Sequence, residues 1–153
     1  MNYLVDANVL SEATRRDPAP EVVDWLEAHE TELVIDAIVL AELSIGVEGL
    51  PKGRKRKRLE AWLEALVEIV ECLPWDASCS RAWARLVTEP RRRGKAMPLF
   101  DSMIAATAMA HDLIIVTRNV RDFEVCGVEV LNPFPRERPA PDAVHEPERP
   151  YGR

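Results

Sequence analysis

Apolar residues along the chain occur in two kinds of run, those typical of strands and those with helical spacing. The strand-like runs are residues 3–5, 33–35, 113–116 and 125–131, with a weaker one at 72–75 that Pro74 places at a sheet edge or a strand end. The runs with helical spacing, which predict helices, lie at 9–12, 21–26, 38–47, 59–70, 79–87 and 98–111. Because strands and helices alternate along the chain, we expect an α/β fold with a parallel sheet.

The run at 98–111 stands out because apolar residues fall on every side of its helical wheel. It therefore predicts a helix that is buried all round. Asp101 is the exception, since the next charge comes only at Asp112. A buried carboxylate costs on the order of several kcal/mol unless a cation or strong donors compensate it. Asp101 thus either caps a helix or forms a salt bridge, or it faces a site that brings its own positive charge.

Three further acids occupy similar positions. Asp6 follows the strand at 3–5, Glu42 lies within an apolar helix, and Asp122 follows the strand at 113–116. Sites in α/β sheets gather beyond the carboxyl ends of strands, so these acids are expected to share one edge with Asp101. A helix N-cap at Asp6 and a solvent-exposed Glu42 are the simpler alternatives.

An all-oxygen cluster of this kind favours a hard divalent cation, either Mg²⁺ or Mn²⁺. Clustered carboxylates repel one another, and a metal ion is their natural compensation. Such an ion can lower the pKa of bound water and stabilise charge on a phosphoryl group. The acids therefore predict a metal-dependent phosphodiester hydrolase, although 26 acidic residues in the chain make chance matches easy.

Two cationic stretches, at 54–58 and 91–95, precede predicted helices. A charge run is usually a solvated surface, but clustered cations also attract phosphates. The candidate contact residues are Arg54, Lys55, Arg56, Arg91, Arg92, Arg93 and Lys95. The formal net charge of −6 argues against a protein that coats nucleic acid non-specifically.

Length and composition bound the class of protein. The 153 residues suit one domain, and 47% hydrophobic content is enough for an ordinary core. We find no membrane span and no signal peptide, so we expect a cytoplasmic protein. Three widely spaced cysteines and three single histidines support neither a disulfide framework nor a zinc site.

The C-terminal region differs in composition from the rest of the chain. From residue 135 onward, prolines alternate with charged residues. Such a segment cannot bury enough apolar surface to fold by itself, so we expect a folded domain at 1–134 and a disordered tail at 135–153.

Four stretches of the sequence form a combined pattern: YLVDANVLSE at 3–12, LAELSIG at 40–46, PLFDSMIAA at 98–106 and IVTRNVRDF at 115–123. With these stretches the sequence resembles the PIN-domain ribonucleases, and among them the VapC-type toxins of the FitB-like branch. The stretches occur in the order found in that family and together span most of the chain.

The resemblance implies a PIN-like three-layer α/β/α sandwich with a short, mainly parallel sheet. It also implies a Mg²⁺- or Mn²⁺-dependent endoribonuclease in which metal-activated water cleaves RNA, and the cationic stretches become candidate RNA contacts. The partners implied are a VapB-like antitoxin, whose C-terminal segment blocks the acidic pocket, and a second copy of the chain in a homodimer.

The family's acidic site carries over to Asp6, Glu42 and Asp101. The fourth position falls at 117–123, where Asp122 is favoured over Asn119. Asn8, Thr117 and Asn119 are candidate ancillary polar residues. Where the family more often has hydroxyl residues, this chain has Ala7 and the pair Asp36-Ala37, so we expect turnover to differ.

Two other functions remain compatible with the residues. A different metal-dependent phosphohydrolase, such as a small-molecule phosphatase, would share the acids without needing the cationic stretches. A non-catalytic binding protein with the same fold would show no metal-dependent cleavage.

Overall fold

The computed structural model describes residues 2–89 and 97–136, in which a five-stranded parallel sheet forms the centre. The strands are β1 Tyr3–Val5, β2 Leu33–Asp36, β3 Glu71–Leu73, β4 Ile114–Val116 and β5 Val130–Leu131. Their order is β3-β2-β1-β4-β5, and every neighbouring pair is parallel.

Helices flank this sheet, and together they form a three-layer α/β/α sandwich. In the described part of the chain these are α1 Ala7–Glu12, α2 Pro20–Ala28, α3 Ala37–Glu48, α4 Arg54–Ile69, α5 Ala77–Thr88, α6 Leu99–His111 and α7 Val120–Glu124. A single 3₁₀ turn, Glu30–Glu32, precedes β2. The predicted α/β class and sandwich architecture are confirmed.

The middle of the sheet carries the core. Leu4 of β1 lies opposite Val34 of β2 on one side and Ile115 of β4 on the other, and all three side chains are buried. Strands covered on both faces read as continuous apolar runs, which is why these segments could be predicted from the sequence.

The order of connections creates a crevice at one edge. From β1 the chain moves to β2 and β3 on one side, and it then crosses to β4 on the other side of β1. Ligands of open α/β sheets bind at such a reversal, beyond the carboxyl ends of the strands. The backbone N–H of Asp6 donates to the carbonyl of Val116 at 2.9 Å, so the ends of β1 and β4 are joined there.

Two details differ from the sequence expectations. Helix α6 is not buried all round, since Leu99 is 59% exposed and Met109 is 40% exposed. Both residues lie near an end of the helix, whereas its buried side chains lie between Asp101 and Ala108.

The last strand is also shorter than the predicted 125–131. Residues 125–127 form a turn in which Gly127 has φ of +70°, a conformation that an extended strand cannot include. The expected edge strand at 72–75 is present as β3, which lies at the margin of the sheet and ends before Pro74.

The domain boundary stays a prediction, because only residues 135 and 136 of the expected tail belong to the described part of the chain. The cationic stretch at 91–95 also falls outside it. Within residues 2–89 and 97–136, no helix has the length and apolar character needed to cross a membrane.

Phe123 of α7 is fully buried in the core, and its truncation tests this packing. We expect Phe123→Ala to lower the free energy of unfolding by about 3–5 kcal/mol, since it removes a large buried ring and leaves a cavity. Phe100→Ala is the matched control, because that ring is 38% exposed. Urea unfolding of both variants measures the effect, and equal losses would contradict the described core.

Candidate active site

Four acidic side chains meet at the carboxyl edge of the sheet. Asp6 directly follows β1 and caps α1, Glu42 lies in α3, Asp101 lies in the first turn of α6, and Asp122 lies in α7. Asp101 interacts electrostatically with Asp6 and Asp122, and Glu42 interacts with Asp6 and Asp101. The structure therefore brings together all four acids that the sequence singled out.

Asp6 is held by hydrogen bonds to both of its oxygens. Its Oδ1 accepts from the backbone N–H of Ala7 at 2.8 Å, as a helix N-cap does. The N-cap alternative therefore accounts for one of the two oxygens. Its Oδ2 accepts from the Thr117 hydroxyl at 2.7 Å and from the Asn8 amide at 3.2 Å. The second oxygen therefore faces the end of β4, and its contacts are not those of a helix cap.

Thr117 connects the predicted polar residues to one another. Its side chain is fully buried, and its hydroxyl accepts from the Asn8 amide at 3.2 Å and from the backbone N–H of Asn119 at 3.0 Å. The amide oxygen of Asn8 in turn accepts from the backbone N–H of Arg118 at 3.1 Å. One hydrogen-bond network thus joins Asn8, Thr117 and Asn119 next to Asp6.

The Asp101 carboxyl is placed by the packing of α6 against α5. The indole N–H of Trp83 donates to the Ser102 hydroxyl at 3.0 Å, and that hydroxyl donates to the carbonyl of Leu99 at 2.6 Å. These bonds hold the first turn of α6, on which Asp101 is buried.

Burial and mutual repulsion raise the pKa values of the clustered acids. Burial raises the pKa of Glu42 from 4.5 to about 7, and the neighbouring charge of Asp6 adds to the shift. Burial likewise raises the pKa of Asp101 from 3.8 to about 7, with Asp6 and Asp122 contributing. The pKa of Asp6 is also raised by burial, although the hydrogen bond from Thr117 opposes this change.

A fifth acid, Asp36, belongs to the cluster and was missed as a site residue. It follows β2, is only 1% exposed, and caps α3 by accepting from the backbone N–H of Val39 at 2.8 Å through Oδ1. Its charge raises the pKa values of Glu42 and Asp6. The available signal was its position, since a carboxylate that ends a buried strand is the same pattern as Asp6.

The cluster fits a hard divalent cation. Among the described residues, the buried side-chain oxygens without a hydrogen-bond partner are Asp36 Oδ2 and Glu42 Oε1, and both belong to this cluster. The ion pairs in the same part of the chain use Glu12, Glu48 and Glu60, so they leave the clustered acids unpaired. An all-oxygen donor set that forms no ion pair within the described residues suits Mg²⁺ or Mn²⁺.

A cleft of about 380 Å³ lies beside Asp122. Its lining residues are Arg118, Asn119, Val120, Arg121, Asp122 and Asn132. The Arg118 guanidinium lies 4.6 Å from the centre of the Phe134 ring. Arg118 and Arg121 were not among the predicted contact residues, because two cations separated by two other residues form no charge run in the sequence.

Three of the predicted cationic contact residues lie in the described part of the chain. Arg54 and Lys55 are exposed at the start of α4. Arg56 instead pairs with Glu60 at 2.8 Å and with Glu48 at 3.0 Å, which ties it to its own helix and the end of α3. Arg91, Arg92, Arg93 and Lys95 lie outside the described residues.

Comparison with known proteins places this geometry in a family. The sequence model of the PIN-domain family matches residues 3–127 of this chain. Toxin FitB from Neisseria gonorrhoeae is 36% identical over 135 residues, which cover 86% of this chain and 97% of that protein. VapC ribonuclease Y4jK from Sinorhizobium fredii is 35% identical over 135 residues, covering 86% and 96%.

The fold itself has a solved counterpart. The crystal structure of FitAcB from Neisseria gonorrhoeae superimposes with a TM-score of 0.80 at 34% identity, covering 86% of this chain and 97% of that one. The similarity therefore extends over most of this chain and nearly all of that one.

The raised pKa values of Glu42 and Asp101 predict how stability changes with pH when no divalent cation is present. Between their ordinary values and about pH 7, the folded state binds more protons than the unfolded state. Their stabilising contribution is complete below about pH 4 and is lost as the pH rises through about 7. Urea unfolding in a chelator, from about pH 5 to pH 8, should therefore show falling stability.

The double variant Glu42→Gln, Asp101→Asn is the control, because it removes both titrations while keeping side-chain shape. We expect it to be less sensitive to pH over this range than the native chain. An identical pH dependence in both proteins would refute the assignment.

Proposed function

This chain belongs to the PIN-domain family, and on that premise we propose that it is a VapC-type toxin, a divalent-metal-dependent endoribonuclease restrained by an antitoxin. The observation that carries the proposal is the acidic cluster, in which two buried carboxylate oxygens have no partner in the described part of the chain. A cluster of acids without internal cations is costly for a protein that only binds a partner.

Asp6, Glu42 and Asp101 are the residues that would hold the cation, directly or through water. Mg²⁺ or Mn²⁺ is favoured because every donor is an oxygen. When bound, such an ion supplies the positive charge that activates water and stabilises the phosphoryl group during hydrolysis. Its charge would also oppose the effects of burial and of mutual repulsion, which together raise the pKa values of Glu42 and Asp101.

The surrounding residues orient the reacting groups. The Thr117 hydroxyl and the Ala7 N–H keep both oxygens of Asp6 in place, so that the carboxylate is already arranged for its ligand. Asp122 lies next to Asp101 and opens to the cleft, where it is placed to complete the site or to orient the attacking water. Asn119 contributes its backbone N–H to Thr117, a supporting role.

RNA is the proposed substrate. One similar protein is named a VapC ribonuclease, and the cleft beside Asp122 carries Arg118 and Arg121 on its wall. Cations there would attract the phosphates that flank the cleaved bond. Exposed Arg54 and Lys55 are further candidate contacts.

The partner that we propose is a VapB-like antitoxin, since a similar protein is named a toxin. Its C-terminal segment would occupy the acidic pocket and exclude RNA. The homodimer and the cytoplasmic location implied above stay predictions.

Cleavage of RNA by the purified, partner-free chain tests the proposal. We expect cleavage with Mg²⁺ or Mn²⁺ and none with a chelator. Asp101→Asn should lower the rate by more than about 100-fold, because it removes one of the charges that hold the cation. Gel analysis of a labelled RNA measures this effect.

Asp112→Asn is the matched control, since Asp112 is an exposed acid at the other end of α6 and its left-handed conformation suits Asn. It should cleave at the native rate. Hydrolysis of a small phosphate monoester instead of RNA would favour the phosphatase alternative. Cleavage that survives both the chelator and Asp101→Asn would contradict the proposal.

The fourth site residue can be identified by comparing two variants. We expect Asp122→Asn to reduce RNA cleavage by more than about 10-fold, because it removes a carboxylate that interacts with Asp101. Asn119→Ala should change the rate only slightly, since the backbone N–H that reaches Thr117 remains. The opposite order would assign the fourth position to Asn119.

A further inference from the structure

A second group of potential metal ligands lies at the opposite end of α6 from Asp101. One carboxylate oxygen of Asp76, the sulfur of Cys79 and one ring nitrogen of His111 all lie within 4.8 Å of one another. Asp76 and Cys79 come from the start of α5, and His111 is the last residue of α6. This group shares no residue with the acidic cluster.

The antiparallel packing of α5 and α6 brings these residues together. Trp83 contacts Ser102 near the start of α6, so the beginning of α5 must lie near the end of α6. Asp101 and His111 are ten residues apart on this helix, which corresponds to roughly 15 Å. The two groups are therefore separate sites.

Asp76 and Cys79 are positioned by the helix cap. The Oδ1 atom of Asp76 accepts from the backbone N–H of Cys79 at 3.0 Å, which fixes the carboxylate beside the thiol. Cys79 is fully buried, whereas Asp76 and His111 are exposed. The thiol thus lies on the buried side of the group, and the other two ligands lie on its exposed side. There a water molecule could be the fourth ligand of a bound ion.

The donor set differs in chemistry from the acidic cluster. A thiolate and an imidazole favour Zn²⁺, whereas carboxylates alone favour Mg²⁺ or Mn²⁺. The helix ends assist, because the N-terminus of α5 stabilises the anionic ligands and the C-terminus of α6 stabilises a cation. Burial raises the pKa of the Cys79 thiol, so a bound metal would have to displace its proton.

We propose that Asp76, Cys79 and His111 form a second cation site, selective for Zn²⁺, that fastens the start of α5 to the end of α6. The spacing of these residues along the chain gives no sign of it, which is why the sequence supported no zinc site. Because α5 also holds the first turn of α6 through Trp83, the ion would stabilise the helix pair that carries Asp101. The proposal does not depend on the nuclease activity.

Titration with Co²⁺ tests the site, because a cobalt–thiolate bond gives a charge-transfer absorption band that carboxylate ligands do not. The full chain, reduced and without an affinity tag, should show this band at one equivalent of Co²⁺ and lose it when Zn²⁺ is added. Cys79→Ser should abolish the band, and His111→Gln should weaken Co²⁺ binding at least about tenfold. Mg²⁺ should not compete.

Two controls separate this site from the rest of the molecule. Cys72→Ser removes a different thiol and should keep the band, and Asp101→Asn should keep it as well. Circular dichroism checks that each variant folds. If Cys79→Ser fails to fold, His111→Gln carries the test, since His111 is exposed.

Zinc should also raise the thermal unfolding midpoint of Asp101→Asn protein, and it should not raise that of Asp101→Asn, His111→Gln protein. Absence of the cobalt band in the native chain, or its persistence in a folded Cys79→Ser variant, would overturn the proposal. The group would then be a helix cap and a His–Asp pair above an unreactive thiol.

Discussion

Repulsion between buried carboxylates is the constraint on which the rest of this structure depends. The parallel sheet and its helices bring Asp6, Asp36, Glu42, Asp101 and Asp122 to one edge, and the described residues supply them with no ion-paired cation. Water is largely excluded from Asp6 and Asp36. The fold therefore holds a concentration of negative charge that an external divalent cation would neutralise. The same charge that costs stability would create the affinity for such an ion.

The hydrogen bonds around Thr117 show how the fold holds this charge in place. The residue joins the ends of β1 and β4, the two strands at which the order of connections reverses, and it donates directly to Asp6. Hydrogen bonds of this kind favour the charged form of a carboxylate and partly offset its burial. Helix α6 carries one residue of each proposed metal site. Asp101 of the acidic cluster lies near its start, and His111, which adjoins Asp76 and Cys79, lies at its end. Sites at opposite ends of one helix can select different ions by donor chemistry alone.

Much of the fold was predictable because local patterns determined it. Short apolar runs predicted strands, and helical spacing predicted the helices that cover them. The sequence predictions were wrong about how far one helix is buried and about where the last strand begins. Leu99 and Met109, near the two ends of α6, are exposed, and the last strand begins only after the turn at Gly127. The acids Asp6, Glu42 and Asp101 were identifiable because each interrupts an apolar context. Asp36 was missed although it ends a buried strand as Asp6 does, and the ion pair of Arg56 with Glu60 could not be predicted from a run of like charges.

The sequence by itself determined the class of fold, the acids that could not be ordinary surface residues, and the preference of oxygen donors for a hard cation. These properties follow from local composition and from the chemistry of single side chains. Only the tertiary structure decided which acids meet, that one oxygen of Asp36 has no hydrogen-bond partner among the described residues, and that Asp76, Cys79 and His111 lie next to one another. The physical reason is that such contacts join residues far apart in the chain, and their distances depend on how helices pack against a twisted sheet and against one another.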